Sequence, residues 1–173
     1  MVKMVIDITP DSEGLFEISE LLSHDQVSLM RDFIDANMIC LLDRSKFKPN
    51  TCLDGSVGNY RSMVISRETH PDIWFTVFED MSINDIPLTS VMLNYYNKGD
   101  HISSHRDKQN NIYTVSTAVT DSSDCLVFET STGDVICKDN PGVGYGFYGN
   151  RPVHRVPVVT SDSRVTLLLM YGN

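Results

Sequence analysis

Two histidines and one aspartate have the residue types and the spacing of a metal site. His105 and Asp107 stand two positions apart in a segment rich in β-forming residues, and side chains at i and i+2 of a strand project to the same face. A second histidine, His154, lies in another predicted strand, Pro152 to Val159. Two imidazoles and one carboxylate that occupy one face of an octahedron are the ligand set of mononuclear non-haem Fe(II) centres. The opposite face of such a centre stays open for a chelating oxo-acid and O₂.

The sequence contains a second His-x-Asp pair, His70-Pro71-Asp72. A proline suits the first helical position, and the apolar stripe that follows it predicts a helix: Ile73, Trp74, Val77 and Phe78. In that helix His70 or Thr69 would take the cap position, and Asp72 would favour the positive end of the helix dipole. We therefore interpret this pair as structural. For the pair at His105, the alternative to a metal site is a polar cluster at a turn.

The last predicted strand begins with an arginine in otherwise apolar surroundings, Arg164-Val-Thr-Leu-Leu-Leu-Met-Tyr. Arg164 and Thr166 share one face of it, and an arginine on an inward face needs an anionic partner. A guanidinium together with a hydroxyl suits the distal carboxylate of 2-oxoglutarate. The alternative is that Arg164 marks a strand end at the surface.

Asn94 and Tyr96 end the predicted strand that precedes His105, and both face the same way. The Tyr96 phenol would add a hydrogen bond to the carboxylate of the co-substrate. A buried tyrosine with an ordinary hydrogen bond is the competing interpretation.

Strand and turn signals predict the fold class. From Leu88 onward, short runs rich in Val, Ile, Thr, Tyr and Phe alternate with turn signals such as Asn140-Pro-Gly142, which predicts about seven strands in an antiparallel sandwich or barrel. Earlier, Leu15 to Leu22 and Tyr60 to Ser66 are predicted strands, and the capping-box spacing from Ser23 to Gln26 opens a predicted helix. No repeat or linker divides the chain, so we expect one domain, with residues 1–87 packed on a β-rich core of residues 88–173.

Composition and charge limit the functional classes. A chain of 173 residues can bury a substantial core. The net charge of −9 argues against broad, phosphate-driven binding of nucleic acid. The first ten residues do not resemble a signal peptide, and the longest wholly apolar stretch, Leu167 to Tyr171, is too short to cross a bilayer. We therefore expect a cytoplasmic protein without a membrane partner.

The order of the candidate site residues resembles the core of the Fe(II)/2-oxoglutarate-dependent dioxygenase superfamily. The motifs that carry this resemblance are, in order, Asn94-x-Tyr96, His105-x-Asp107, His154 and Arg164-x-Thr166. The resemblance covers about residues 88–173. It implies a mainly β fold with flanking helices, a double-stranded β-helix (jelly roll). It also implies a catalytic iron held by His105, Asp107 and His154, and a co-substrate pocket formed by Arg164, Thr166, Tyr96 and Asn94.

The activity implied by this resemblance is oxidative decarboxylation of 2-oxoglutarate to succinate and CO₂, coupled to hydroxylation or oxidative demethylation of a substrate. Its requirements would be Fe(II), 2-oxoglutarate as co-substrate and O₂, with ascorbate as the reductant in an assay.

Within the superfamily, the stretch from Leu93 to Asp107 looks most like the AlkB-type nucleic-acid demethylases, in which Asn-x-Tyr likewise precedes the metal histidine by a Gly-containing turn. The chain departs from their pattern where Thr166 replaces an asparagine and Met170 replaces a second arginine. The run from His105 to Asn110 is similar to that of the methylcytosine dioxygenases, where an asparagine at the latter position contacts the base. The Arg164-x-Thr166 ending is equally compatible with hydroxylases of small molecules or protein side chains.

Four residues are predicted to meet the substrate at the mouth of the barrel: Tyr60, Arg61, Arg106 and Asn110. Residues just after Asp107 would lie on this mouth, and the resemblance implies that the Tyr60 strand covers it. Lys98, Arg151 and Arg155 would add positive charge nearby.

Three hypotheses about function follow. The first is oxidation of a nucleobase or nucleotide, favoured by the AlkB-like stretch and the local basic residues. The second is hydroxylation of a protein side chain or small metabolite, favoured by the acidic total charge. The third is a non-enzymatic, cupin-like metal-binding module, which would have no need of Arg164.

Overall fold

The computed structural model describes residues 4–44, 58–107, 111–149 and 152–172. Its strands are β1 (Met4–Ile6), β2 (Leu15–Ile18), β3 (Leu42–Asp43), β4 (Gly58–Asn59), β5 (Arg61–Ile65), β6 (Met81–Ile83), β7 (Ile86–Asn97), β8 (His101–His105), β9 (Tyr113–Ala118), β10 (Cys125–Thr130), β11 (Gly133–Lys138), β12 (Gly144–Tyr148), β13 (Val153–Val156) and β14 (Ser163–Tyr171). Helix α1 (His24–Asn37) runs into a 3₁₀ turn (Met38–Cys40), and α2 (Pro71–Ile73) runs into a π-helical turn (Trp74–Phe78).

The described strands form two sheets. The major sheet has the order β1-β6-β7-β14-β9-β12-β2, with β5 paired to β7 and β3 paired to β5. The minor sheet has the order β11-β10-β13-β8-β4. From β7 onward the chain passes back and forth between the sheets, so that β7, β14, β9 and β12 face β8, β13, β10 and β11. This is the strand order of a jelly roll, and the predicted fold class is confirmed.

Alternation along β14 separates the core from the site. Val165, Leu167 and Leu169 belong to the large apolar cluster on the outer face of the major sheet, where the buried side of α1 also lies. Arg164 and Thr166 project to the opposite, inner face, because successive side chains of a strand alternate. The polar side chains of β14, Arg164 and Thr166, therefore lie on the inner face of the major sheet.

Helix α1 begins as the sequence predicts. The Ser23 hydroxyl accepts a hydrogen bond from the Gln26 backbone N–H, and the Gln26 side chain accepts one from the Ser23 backbone. The Gln26 amide also donates to the Val77 carbonyl at 3.1 Å, which ties the start of α1 to the π-helical turn. The predicted capping box is confirmed, and it anchors the helix that covers the major sheet.

The predicted strand from Tyr60 to Ser66 forms a corner of the barrel. Asn59 pairs with His101 in the minor sheet, whereas Arg61 pairs with Tyr95 in the major sheet. Tyr60 lies between the two pairings and stacks on Tyr96, with ring centroids 5.5 Å apart and an interplanar angle of 26°. The corner thus closes the barrel beside one of the predicted site residues.

Among the described residues, no helix has both the length and the apolar character that crossing a bilayer requires.

Candidate metal centre and co-substrate pocket

The two site histidines lie on neighbouring strands of the minor sheet. His105 at the end of β8 is the direct cross-strand partner of His154 on β13, and their ring centroids are 4.3 Å apart. Asp107 follows β8, and its Oδ1 lies 3.7 Å from Nε2 of His105 and 3.6 Å from Nε2 of His154. The three candidate ligand atoms all lie within 4.8 Å of one another, a spacing that fits one metal ion.

Backbone carbonyls hold both imidazoles in the orientation that a metal needs. Nδ1 of His105 lies 2.8 Å from the Ser103 carbonyl, and Nδ1 of His154 lies 3.3 Å from the Pro152 carbonyl. A carbonyl only accepts, so each Nδ1 carries the proton and each Nε2 presents a lone pair. The lone pairs therefore face Asp107.

Aromatic packing keeps the centre dry on one side. The Phe147 ring lies 5.3 Å from the His154 ring, and the Phe128 ring lies 5.9 Å from it, centroid to centroid. Burial lowers the pKa of His154, although the nearby Asp107 carboxylate acts in the opposite direction. A lowered pKa favours the neutral imidazole, which is the form that binds a metal. The nitrogen and oxygen donors present, in a buried pocket, thus fit a divalent iron.

The second His-x-Asp pair lies at the predicted start of a helix, but the predicted side-chain cap is absent. Pro71 opens α2 with Asp72 in its first turn, and His70 occupies the cap position without a side-chain cap bond. Nδ1 of His70 instead lies 2.9 Å from the Thr69 hydroxyl. Within the part of the chain that the structure describes, His105, Asp107 and His154 form the one cluster able to hold a metal.

Arg164 lies on the inner face of the major sheet, but a protein carboxylate already meets it. Its Nε and Nη2 donate to the two carboxylate oxygens of Asp139 at 2.7 and 2.8 Å. Both side chains are almost fully buried, 2% and 5% exposed. Burial lowers the pKa of Arg164, but hydrogen bonding and charge from Asp139 more than offset this and leave that pKa raised. The anionic partner that the sequence required is therefore found within the chain, and the surface interpretation of Arg164 is wrong.

Asp139 was missed at the sequence level. It stands between β11 and the turn Asn140-Pro-Gly142, where an acidic residue is unremarkable. No local spacing relates it to Arg164, because the two residues come from opposite sheets. The one indication in the sequence is that a buried arginine needs an acidic partner. Several acidic residues could have filled that role, so the sequence does not identify Asp139.

Tyr96 and Thr166 complete the surroundings of Arg164. Tyr96 is the cross-strand partner of Arg164, and the guanidinium carbon lies 5.3 Å from the centroid of its ring. Burial raises the pKa of Tyr96, which keeps the phenol protonated, and its side chain hydrogen-bonds with Thr166. These residues lie together on the inner face, as the resemblance implied.

A polar row crosses the inner face next to this pocket. Asn94 lies between its cross-strand neighbours Ser62 and Thr166. All three are buried, and the Asn94 amide oxygen has no hydrogen-bond partner among the described residues. Arg44, which sequence reasoning did not select, donates from Nε to the Ser62 hydroxyl. An amide oxygen only accepts hydrogen bonds, so a donor, and not a carboxylate, would be needed to satisfy it.

Of the four predicted substrate residues the structure describes Tyr60, Arg61 and Arg106, and it does not bring these three together. Tyr60 lies beside Tyr96, as described above. Arg61 projects to the outer face of the major sheet, where its guanidinium carbon lies 4.5 Å from the Tyr95 ring centroid. Its placement on the mouth is therefore wrong, because Arg61 and Tyr60 are consecutive and must face opposite ways. Asn110 lies outside the described residues.

Arg106 lines a pocket of about 470 Å³. The lining residues are Pro10, Asp11, Ser12, Glu13, Gly14, Arg106, Glu129, Thr130, Ser131, Tyr148, Pro152 and Val153. The three metal ligands are not among them, because successive side chains of a strand alternate and Arg106 and Val153 are neighbours of His105 and His154 in the sequence. Arg155, a predicted source of positive charge, is held by Glu129 and Asp134 at 2.7 and 2.6 Å. Arg151, another predicted source of positive charge, lies outside the described residues.

The arrangement of strands matches solved structures. A prolyl-4-hydroxylase from Pseudomonas putida aligns over 94% of each chain with a TM-score of 0.68 and 10% identity. The non-haem alpha-ketoglutarate-dependent carbocyclase SnoK from nogalamycin biosynthesis aligns over 92% of this chain and 79% of its own, with a TM-score of 0.71 and 13% identity. OsALKBH1 aligns over 94% of this chain and 99% of its own, with a TM-score of 0.60 and 14% identity.

No protein-family model and no curated protein matches the sequence. At identities this low the likeness establishes the fold, which these oxygenases share with the chain.

Proposed function

We propose that this chain is an Fe(II)- and 2-oxoglutarate-dependent oxygenase. The observation that carries the proposal is the convergence of His105, Asp107 and His154 on the inner face of a jelly roll. Two imidazoles and one carboxylate leave coordination positions open, which a structural metal site would not need. The likeness of the fold to oxygenases of this kind supports the same conclusion.

The metal and its co-substrate supply the oxidising chemistry: 2-oxoglutarate is decarboxylated to succinate and CO₂, and oxygen is inserted into a C–H bond of the substrate. The residues of the chain bind, orient and shield. The carbonyls of Ser103 and Pro152 hold the imidazoles so that Nε2 faces the metal. Phe128 and Phe147 exclude water from the side of His154.

The co-substrate pocket follows from the polar groups of the inner face. Arg164, Tyr96 and Thr166 offer a guanidinium and hydroxyl groups to the distal carboxylate. Asn94 lies on the same face. Since Asp139 balances the charge of Arg164, the burial of that arginine alone no longer argues against a cupin-like module. The coordination positions that His105, Asp107 and His154 leave open remain the observation that favours the enzyme.

The charge of the chain favours a substrate other than nucleic acid. The net charge is −9, and affinity for a nucleic-acid backbone depends on Lys and Arg contacts. We therefore propose hydroxylation of a protein side chain or a small metabolite, with oxidation of a nucleobase as the alternative outcome of the test.

The proposal is tested by incubating the purified chain with Fe(II), ascorbate and 2-oxoglutarate, against a panel of peptides, nucleosides and methylated oligonucleotides. Succinate release and a mass shift of the substrate are the measurements. We expect turnover with a peptide or a small molecule and none with the oligonucleotides.

Two matched variants make the result specific. His154→Ala should abolish succinate release, whereas His70→Ala, which alters a histidine outside the site, should leave it unchanged. Absence of 2-oxoglutarate binding and of succinate from the wild-type chain would contradict the proposal and favour a cupin-like module.

A further inference from the structure

Asp139 binds one edge of the Arg164 guanidinium and leaves the opposite edge available. Asp139 accepts from Nε and from Nη2, so it occupies one edge of the planar group. Both hydrogen bonds that Arg164 makes within the described part of the chain go to Asp139. The opposite edge, formed by Nη1 and the second N–H of Nη2, can still bind a carboxylate in the two-point geometry that guanidinium groups favour.

Asp139 is itself fixed by its neighbours. The Ser122 hydroxyl donates to its Oδ2 at 2.6 Å, and its backbone N–H donates to the Asp124 carbonyl at 3.0 Å. The Asp139 carboxylate therefore cannot swing away when an anion arrives at Arg164. Any such anion must share the arginine with a permanent negative charge.

We propose that Asp139 sets the affinity of the co-substrate pocket by offsetting the charge of Arg164 and holding one edge of its guanidinium. This inference rests on the proposed function. The distal carboxylate of 2-oxoglutarate then binds the open edge of the Arg164 guanidinium and the hydroxyls of Tyr96 and Thr166. Because Arg164 and Asp139 form an ion pair with no net charge, the carboxylate does not meet a full positive charge. Binding is weaker than Arg164 alone would give, and the empty pocket is spared an unpaired buried charge.

The direction in which replacement of Asp139 changes the affinity for 2-oxoglutarate distinguishes this electrostatic role from a structural one. Two unit charges roughly 8 Å apart, at an effective dielectric constant of about 20, repel by an amount equal to roughly a thirtyfold change in dissociation constant. Asp139→Asn removes that repulsion and retains an oxygen that accepts from Arg164. A residue that merely supported the pocket would weaken binding when replaced.

The experiment measures 2-oxoglutarate binding by calorimetry, under nitrogen and with Mn(II) in place of iron so that no turnover occurs. We expect Asp139→Asn to bind 2-oxoglutarate about thirtyfold more tightly than the wild type. We also expect its ligand-free form to melt at a lower temperature, since Arg164 is then buried without a counter-charge. Tighter binding combined with lower stability is the signature of the proposal.

Asp124→Asn is the matched control. Asp124 is also a buried acid close to Asp139, but its carboxylate accepts from Thr160 and Ser161 and not from Arg164. Its replacement should lower stability and change the dissociation constant by less than about threefold.

A second variant tests the idea should Asp139→Asn fail to fold. Ser122→Ala removes a donor to Asp139, so the carboxylate engages Arg164 more strongly, and binding of 2-oxoglutarate should weaken by about threefold. Unchanged or weaker binding in Asp139→Asn, or unchanged or tighter binding in Ser122→Ala, overturns the inference and leaves the proposed function standing. No binding by the wild-type chain overturns both.

Discussion

His105 and His154 are direct cross-strand partners on β8 and β13, and their ring centroids lie 4.3 Å apart. Opposite residues of an antiparallel pair project to the same face, so the pairing register alone brings both imidazoles to one point. A register shift of one residue would turn one ring to the other face and abolish the site.

Replacement of either histidine by alanine should remove metal binding without unfolding the sheet. The loss of iron affinity should exceed the roughly 10- to 100-fold that follows when a supporting contact to a ligand is lost. Metal content after dialysis and circular dichroism are the measurements. His70→Ala is the control, and loss of iron in that variant would show that the wrong His-x-Asp pair had been chosen.

The Tyr96 hydroxyl should contribute to co-substrate binding. Tyr96→Phe keeps the stacked ring next to Tyr60 but removes the phenol, and a hydrogen bond to a charged group is worth about 1.5–3 kcal/mol. The dissociation constant of 2-oxoglutarate should therefore rise by about tenfold or more.

Tyr171→Phe is the matched control for that measurement. Tyr171 is also fully buried, and its hydroxyl has no hydrogen-bond partner among the described residues. Its removal should leave binding unchanged. An equal loss in the two variants would mean that the Tyr96 phenol has no specific role.

Arg106 should affect the substrate and not the co-substrate. It is exposed and lies between the metal ligands His105 and Asp107 in the sequence, whereas Arg164 is buried. In Arg106→Ala, oxidation of the substrate should fall several-fold while uncoupled decarboxylation of 2-oxoglutarate continues at its former rate. Lys138→Ala, which removes an exposed cation on β11, is the comparison variant. Equal falls of coupled and uncoupled rates in Arg106→Ala would remove this residue from the substrate site.

Asp124 should stabilise the fold in a pH-dependent manner. Burial raises its pKa, but hydrogen bonds from the Thr160 N–H and hydroxyl and from Ser161 outweigh this and leave that pKa lowered. A carboxylate whose folded pKa is depressed stabilises above its unfolded pKa, about 3.9, and loses that contribution as the pH falls through the folded value.

Asp124→Asn should therefore lower the free energy of unfolding by about 1–3 kcal/mol at pH 7. The gap to the wild type should begin to close below about pH 4 and should shrink further as the pH falls through the lowered pKa of Asp124. Denaturant titrations at several pH values measure it. Asp121→Asn changes an exposed acid of the same loop, whose ion pair with Arg31 is solvent-accessible, and should cost less than about 1 kcal/mol. A gap that did not shrink as the pH fell below about 4 would contradict the assignment.

Local patterns predicted the elements and the faces of the site. Alternation within a strand brought His105 and Asp107 to one side and likewise Arg164 and Thr166, because the period of two is a property of the extended backbone. The capping box at Ser23 was equally readable, since both of its hydrogen bonds lie within one turn of helix.

The same period explains the one residue placed wrongly. Tyr60 and Arg61 are neighbours, so only one of them can face the interior, and the sequence does not say which. The corner between β4 and β5 decides it: Tyr60 turns inward onto Tyr96, and Arg61 turns outward over Tyr95.

The sequence by itself determined that His105 and Asp107 share one face of a strand and that Arg164 and Thr166 share one face of another, because each pair follows from short-range spacing along a single strand. It offered His154, in a separate predicted strand, as a candidate third ligand. Tertiary structure alone decided that His154 pairs with His105, that Asp139 binds Arg164, and that Asn94 keeps an unmatched amide oxygen. These facts depend on how two sheets and their loops pack across the barrel. Contacts between distant segments depend on how the whole chain packs. The alternation of side chains within one strand carries no information about them.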